Sequence, residues 1–267
     1  MKKTILITGA TDGIGLATSK MLALKGHNIL IHGRRSEKLN NVEQMLTELP
    51  NAGTIKSYVA DLSRISDVVA LADSIRSSNE KLDVLINNAG VFKTSSPTTQ
   101  NGLDVRFVVN TIAPYLLTKK LTNLLGASSR VINLSSAAQA SVNIEALAGR
   151  TQLSDMDAYA QSKLAITMWT RSLALSNKSQ GPVMIAVNPG SMLGSKMVQE
   201  GFGVAGGDLN IGAEILMRVA LDDEFLAANG KYFDNDSGKF SSPHSDAMNP
   251  QKLEQLIQSI EAILKKF

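Results

Sequence analysis

The chain has 267 residues, 43% apolar and 19% charged, with 27 basic side chains against 24 acidic ones and no cysteine. That length can bury a sizeable core, and a net charge of +3 without a dense basic stretch points to neither a nucleic-acid nor a membrane-surface partner. The lack of cysteine excludes disulfides and thiolate metal sites and suits a reducing, cytoplasmic address; no metal is expected.

Met1-Lys2-Lys3 before Ile5-Leu6-Ile7 has the outline of a signal peptide, but the apolar run stops at glycines and Asp12 without a cleavage-like site. No stretch is apolar for long enough to span a bilayer. The first run, TILIT from Thr4, predicts a strand and passes into TGATDGIG, Thr8 to Gly15, at the start of an amphipathic helix, Ile14 to Lys25. A glycine cluster at such a junction bares backbone N–H groups at the positive end of a helix, where a phosphate is favoured. Gly9 permits the tight turn, Gly13 the approach of a pyrophosphate, and Gly15 close packing of helix on sheet; Asp12 and Ile14 belong to the same cradle. A glycine turn is also often only a turn. A phosphate-loop nucleotidase fits poorly, because no Gly-Lys-Ser/Thr follows.

A second strand, NILIHG from Asn28, ends at Gly33 without an acid to take a ribose hydroxyl and runs into Arg34 and Arg35. Guanidinium groups there can pair with a 2′-phosphate, or merely solvate the helix start at Ser36 to Leu49. Asp12 weighs mildly against an anion at this place. The alternation continues with a strand from Ile55 (IKSYVADL, carrying Asp61 and Leu62), a helix at Ile65 to Ser77, and a strand from Asp83 that ends in Asn88-Ala89-Gly90. A long helix at Leu103 to Leu125, a strand from Arg130 (RVINLSS), a helix at Tyr159 to Ser176 and a strand from Val183 (VMIAVNPG) follow. Beyond Pro189 and Gly190 the pattern turns irregular and glycine-rich. Met192 to Asn210 reads as a substrate lid, whose Met192, Leu193, Met197, Val198, Phe202 and Val204 line an apolar pocket or pack the lid down. GKYFDN from Gly230 is a last short strand, and Pro250 to Phe267 a closing helix. Strand, helix, strand in repetition predicts one α/β domain over residues 1–267: a doubly wound, Rossmann-type parallel sheet of about seven strands with helices on both faces.

Tyr159 and Lys163 are four residues apart on a helix, so they share a face. A free phenol titrates near 10, and a neighbouring ammonium favours the phenolate, bringing it nearer to working pH. A serine hydroxyl can hold a carbonyl oxygen while hydride reaches carbon, and that hydride needs a cofactor. Taken singly, Tyr-x-x-x-Lys is usually surface decoration, and Ser135-Ser136 can be a turn or a helix cap.

Taken together, TGATDGIG, DLS at Asp61, NNAG at Asn87, VN at Val109-Asn110, NLSS ending at Ser136, YAQSK at Tyr159 and NPG at Asn188 resemble the short-chain dehydrogenase/reductase family, in family order over roughly residues 4 to 240. The resemblance implies a catalytic set of Asn110, Ser136, Tyr159 and Lys163. Lys163 would also bond the nicotinamide ribose, and Asn110 would support a water-linked proton relay or serve as a structural asparagine. It implies a cofactor site of Gly9, Asp12, Gly13, Ile14, Gly15, Arg34, Arg35, Asp61, Leu62, Asn88, Ala89, Gly90, Tyr159, Lys163, Pro189 and Gly190. Only one of Ser135 and Ser136 should face the cofactor, and the family pattern puts the catalytic serine at Ser136. The gap of 159 − 136 = 23 residues, the stretch ASVNIEALAGRTQLSDMD within it, and AYAQSKLAITMWT resemble the retinol-dehydrogenase-like and protochlorophyllide-reductase-like branch, whose members often handle bulky apolar carbonyls or alcohols. A threonine often follows Pro-Gly in the family, whereas Ser195 stands one residue late, so its contact with the nicotinamide carboxamide stays unassigned.

The expected activity is transfer of hydride between a nicotinamide cofactor and an apolar small-molecule carbonyl or alcohol, with NADP(H) preferred and NAD(H) usable. Gly33 is where the family places the ribose-binding acid, so Arg34→Ala should weaken that preference and adding Gly33→Asp to it should reverse it. The rivals are a non-catalytic redox sensor and a lyase or epimerase with tightly held cofactor. Homodimers or homotetramers through the helices at Leu103–Leu125 and Tyr159–Ser176 are common in the family.

Overall fold

The computed structural model describes residues 1–177 and 181–267. The strands are β1 (Thr4–Ile7), β2 (Asn28–Gly33), β3 (Ile55–Val59), β4 (Val84–Asn87), β5 (Arg130–Leu134), β6 (Val183–Asn188), β7 (Tyr232–Asp234) and β8 (Lys239–Ser241). They form one sheet in the order β3-β2-β1-β4-β5-β6-β7-β8, parallel throughout except for β8, which pairs antiparallel with β7. This eighth strand exceeds the expected seven. It is a three-residue edge strand closing a hairpin, too short to mark itself by apolar periodicity.

The helices are α1 (Gly13–Leu24), α2 (Ser36–Thr47), α3 (Ile65–Ser78), α4 (Val105–Phe107), α5 (Ala113–Lys120), α6 (Ile144–Leu147), α7 (Asp155–Ser176), α8 (Lys196–Phe202), α9 (Leu209–Leu221) and α10 (Pro250–Leu264). Strand alternation divides them into two layers. Leu6, Leu30, Leu85 and Val131 point into one core with residues of α3, α5, α7 and α10. Ile5, Ile7, Ile29, Ile31, Val84, Ile86 and Ile132 point the other way, into a core with α1, α2 and α9. Covered on both faces, the strands have no polar side to show, which is why they read as continuous apolar runs.

Three local departures matter for the site. First, α7 begins at Asp155 rather than Tyr159, because Ser154 caps it: its hydroxyl accepts from the Asp157 N–H, and Asp155 and Asp157 suit the positive end. Tyr159 therefore stands on the second turn of a formed helix, not at a frayed start. Second, the long helix expected from Leu103 to Leu125 is α4 and α5 joined by a π-helical turn at Val108–Ile112, and it ends at Lys120. Third, the end of the expected lid is the start of α9, capped by Asp208, whose Ile215, Leu216 and Val219 are fully buried or nearly so. Among the described residues, no helix is long and apolar enough to cross a membrane.

Candidate active site

The sheet order reverses between β1 and β4, and a cleft of about 410 Å³ opens there at the carboxyl ends of the strands. Its wall holds Gly9, Asp12, Gly13, Ile14, Gly15, Arg34, Asp61, Leu62, Asn88, Ala89, Gly90, Tyr159, Lys163 and Pro189. Arg35 and Gly190 lie outside that wall, Arg35 exposed at the position preceding α2.

The glycine loop is clamped from below. Gly9 sits at φ +67°, and a Cβ on it would lie 2.9 Å from the Ala89 Cα, so only glycine fits. The Asn88 and Ala89 N–H groups both donate to the Thr8 hydroxyl at 3.1 Å, and the Asn88 amide donates to the Thr8 and Gly9 carbonyls at 2.8 and 3.1 Å. A Cβ on Gly15 would overlap that amide. Gly15 thus makes room for the Asn88 clamp as well as for helix packing. Asp12 caps α1 by accepting from the Gly13 N–H at 2.8 Å and pairs with Lys38 at 2.6 Å; the Lys38 bond holds its carboxyl below the usual range. Lys38 thereby offsets the charge that weighed against an anion here.

His32, which carries no motif, is buried beneath this loop. Its Nδ1 accepts from the Gly9 N–H at 3.2 Å, which leaves Nε2 to donate to the Ala60 carbonyl at 3.1 Å. Burial pulls its pKa from 6.5 to about 4. Between those values the unfolded chain binds the proton and the folded chain does not, so stability falls as the pH drops through this window, by about 3 kcal/mol in all. Urea unfolding at pH 7 and pH 4.5 should show a smaller acid loss in His32→Gln than in the parent chain. His27 shifts the same way but is common to both, so equal losses would contradict the assignment.

Tyr159 and Lys163 stand on the cleft wall, and Ser136 lies beside Tyr159 but outside that wall. Ser135 touches the wall, but its hydroxyl is turned into the fold, bonded to the Lys163 carbonyl at 2.9 Å and to the Thr167 hydroxyl at 2.7 Å. The Ser136 hydroxyl instead accepts from the Ala138 N–H at 3.1 Å and lies close enough to the Tyr159 phenol to favour its ionised form. The Lys163 ammonium donates to the Leu134 carbonyl at 2.8 Å and lies 5.7 Å from the Tyr159 ring centre. Burial pulls Lys163 down to about 8 and pushes the Tyr159 phenol up. Burial is thus the larger influence on the phenol here, with Ser136 and not Lys163 opposing it. Asn110, buried in the π-helical turn, spends its amide on the Val91 N–H and C=O at 2.8 and 2.9 Å and on the Ser162 hydroxyl at 2.9 Å. It ties the loop after β4 to α7.

A family model described as short chain dehydrogenase matches residues 3–203. The chain belongs to the short-chain dehydrogenase/reductase family. It is 30% identical to retinol dehydrogenase 13 of Homo sapiens over 91% of this chain and 80% of that protein. It is also 30% identical to the chloroplastic short-chain dehydrogenase TIC 32 B of Brassica napus, over 86% and 79% of the two chains. Its place is therefore in the retinol-dehydrogenase-like branch. A short chain dehydrogenase from Burkholderia cenocepacia in complex with NADP superposes with a TM-score of 0.70 at 25% identity, covering 87% of this chain and 95% of that one.

As a family member the chain is an oxidoreductase, and its residues fit a nicotinamide dinucleotide. Two observations carry that fit: a glycine cradle that side chains would fill, and first-turn N–H groups of α1 facing an open cleft. At the adenosine end, a Cβ on Gly33 would lie 2.6 Å from the Thr11 Cγ2. Thr11 thus occupies the place where the branch of the family that binds ribose hydroxyls would put an acid. Gly33→Asp is accommodated only once Thr11 rotates away, a condition on the reversal expected when it is added to Arg34→Ala.

Of the stretch 192–210 expected to form a lid, Leu209 and Asn210 already belong to α9. The neck of the stretch is pinned by Gly194 N–H to Gly207 C=O at 2.7 Å and Gly207 N–H to Met192 C=O at 2.8 Å, and Leu193 is buried there. Ser195 caps α8 and lines the cleft, together with Met197. Phe202 of α8 stacks on Phe92 (ring centres 5.4 Å apart), and Phe92 packs on Tyr159 at 5.0 Å. Met192 and Val204 remain exposed. Thus Met197 belongs to the apolar wall and Leu193 to the packing, while Phe202, itself exposed and outside the wall, backs Phe92. Phe92 joins that wall with no motif to announce it.

Proposed function

We propose that this oxidoreductase interconverts an apolar carbonyl and its alcohol in the cytoplasm, using Ser136, Tyr159 and Lys163, with NADP(H) preferred over NAD(H). The observation that carries this is the pairing of Tyr159 and Lys163 on the wall of a cleft that the glycine loop also lines, with Ser136 beside the Tyr159 phenol. When bound, the cofactor supplies or accepts the hydride. The Ser136 hydroxyl donates to the carbonyl oxygen, and the Tyr159 phenol gives that oxygen its proton as carbon becomes tetrahedral. Burial holds the phenol protonated, which suits the reducing direction. Lys163, a cation in the cleft wall, offsets the charge left on Tyr159 after transfer. Asn110 keeps the β4 loop and α7 in register. The apolar wall of Phe92 and Met197 beside Tyr159 favours an apolar substrate.

The NADP(H) preference rests on Arg34 at the cleft wall, the lack of an acid at Gly33, and the neutralisation of Asp12 by Lys38. Arg34→Ala should lower kcat/KM for NADPH by about tenfold or more while moving the NADH value little, since an Arg–phosphate bond contributes about 1.5–3 kcal/mol. Arg35→Ala should do much less. Better use of NADH than NADPH by the unaltered protein would overturn the preference and leave the triad untouched.

A further inference from the structure

Ser136 stands past the end of β5, beyond the last ladder bond, which Ser135 N–H makes to the Val187 carbonyl at 2.8 Å. Its backbone is nonetheless fixed. The Ser136 carbonyl accepts two hydrogen bonds: one from the Tyr232 hydroxyl at 3.1 Å, the other from the Gln139 amide at 2.9 Å. Tyr232 lies on β7, two strands from β5 and 96 residues along the chain. Two donors fill both lone pairs of one carbonyl and fix the peptide plane that follows Ser136.

The Tyr232 hydroxyl is not needed for packing. The side chain is 6% exposed, and a phenyl ring would fill the same space. A buried hydroxyl is costly unless bonded, and the partner of this one is the Ser136 carbonyl. Burial and the nearby Asp234 and Asp236 raise its pKa, so it stays a donor at any working pH. Beyond the fixed carbonyl, the Ser136 hydroxyl accepts from the Ala138 N–H at 3.1 Å and meets Tyr159.

We propose that Tyr232 is a positioning residue: with Gln139 it anchors the Ser136 carbonyl so that the serine hydroxyl is delivered to the reacting oxygen. The proposal rests on Ser136 being the catalytic serine. Without one of the two donors the peptide plane can rotate, and the hydroxyl spends part of its time misdirected, which lowers turnover without touching the cofactor cleft.

The test is a double-mutant cycle on the full chain, with Tyr232→Phe, Ser136→Ala and the two combined, following kcat, NADPH Kd and thermal midpoint. Tyr232→Phe should lower kcat by about tenfold and leave Kd and the midpoint unchanged. In the Ser136→Ala background the same change should cost nothing further, because there is no hydroxyl left to position. Gln139→Ala, on the other side of the carbonyl, should behave alike. Additive losses in the double variant, or a loss accompanied by weaker NADPH binding and a lower midpoint, would overturn the proposal in favour of a merely structural role. A normal kcat in Tyr232→Phe, with Ser136→Ala impaired, would overturn the proposal alone. A normal kcat in Ser136→Ala would remove both the proposal and the catalytic reading of Ser136.

Discussion

Tyr159→Phe should lower kcat by about 100- to 10,000-fold while NADPH binds nearly as before. The change removes one oxygen and keeps the ring, which packs 5.0 Å from Phe92 and lies 5.7 Å from the Lys163 ammonium. Packing and the charge of the cleft are therefore retained. What disappears is the acid. Lys163 is no substitute, since its ammonium is committed to the Leu134 carbonyl at 2.8 Å. Ser136 can orient an oxygen, but a hydroxyl of its ordinary acidity is a poor proton source. Titration of NADPH fluorescence gives the Kd, and saturating turnover gives kcat. A variant with near-normal kcat would remove Tyr159 from the chemistry. A large loss of affinity with little change in kcat would make it a binding residue instead.

Ser136→Ala and Ser135→Ala should separate cleanly. Loss of one donor to a developing oxyanion costs about 100- to 1,000-fold in kcat, which is the expectation for Ser136. Ser135 has a different duty: its hydroxyl joins the Lys163 carbonyl and the Thr167 hydroxyl within the α7 packing. Ser135→Ala leaves those partners bonded to each other at 3.1 Å and should cost about 0.5–1.5 kcal/mol of stability, with far less effect on kcat per folded molecule. Equal kcat losses, or the reverse order, would mean that the end of β5 presents the other serine.

How far the sequence foretold this site depends on the kind of signal. Ile5, Leu6 and Ile7 fill consecutive positions and alternate between two cores, so a doubly covered strand is legible from four residues. The glycine loop and Tyr159-x-x-x-Lys163 are legible because each lies within one element and its junction. His32, the Asn88 clamp, the Thr11–Gly33 contact and Tyr232 are not, because each depends on which strand end meets which across the sheet. His32 reads as one polar residue in an apolar run until Gly9 and Ala60 are brought to its two nitrogens. The π-helical turn has no compositional mark either; it arises where Asn110 must reach Val91 and Ser162 together. For α9 a signal existed, an Asp208 cap before Ile215, Leu216 and Val219, but the glycines on its N-terminal side obscured the periodicity.

The central claim is that hydride moves between a nicotinamide and a carbonyl carbon in this cleft. The most direct measurement supplies NADPH fully deuterated at C4 of the dihydronicotinamide, together with an apolar aldehyde or ketone that the protein turns over. The account predicts one deuterium on the carbinol carbon for each NADP+ formed, at a rate that collapses in Tyr159→Phe. Unlabelled product, or conversion of substrate with no net oxidation of NADPH, would contradict it and favour a lyase or epimerase. Tight NADPH binding with no oxidation across a broad panel of carbonyls would contradict it in favour of a redox sensor.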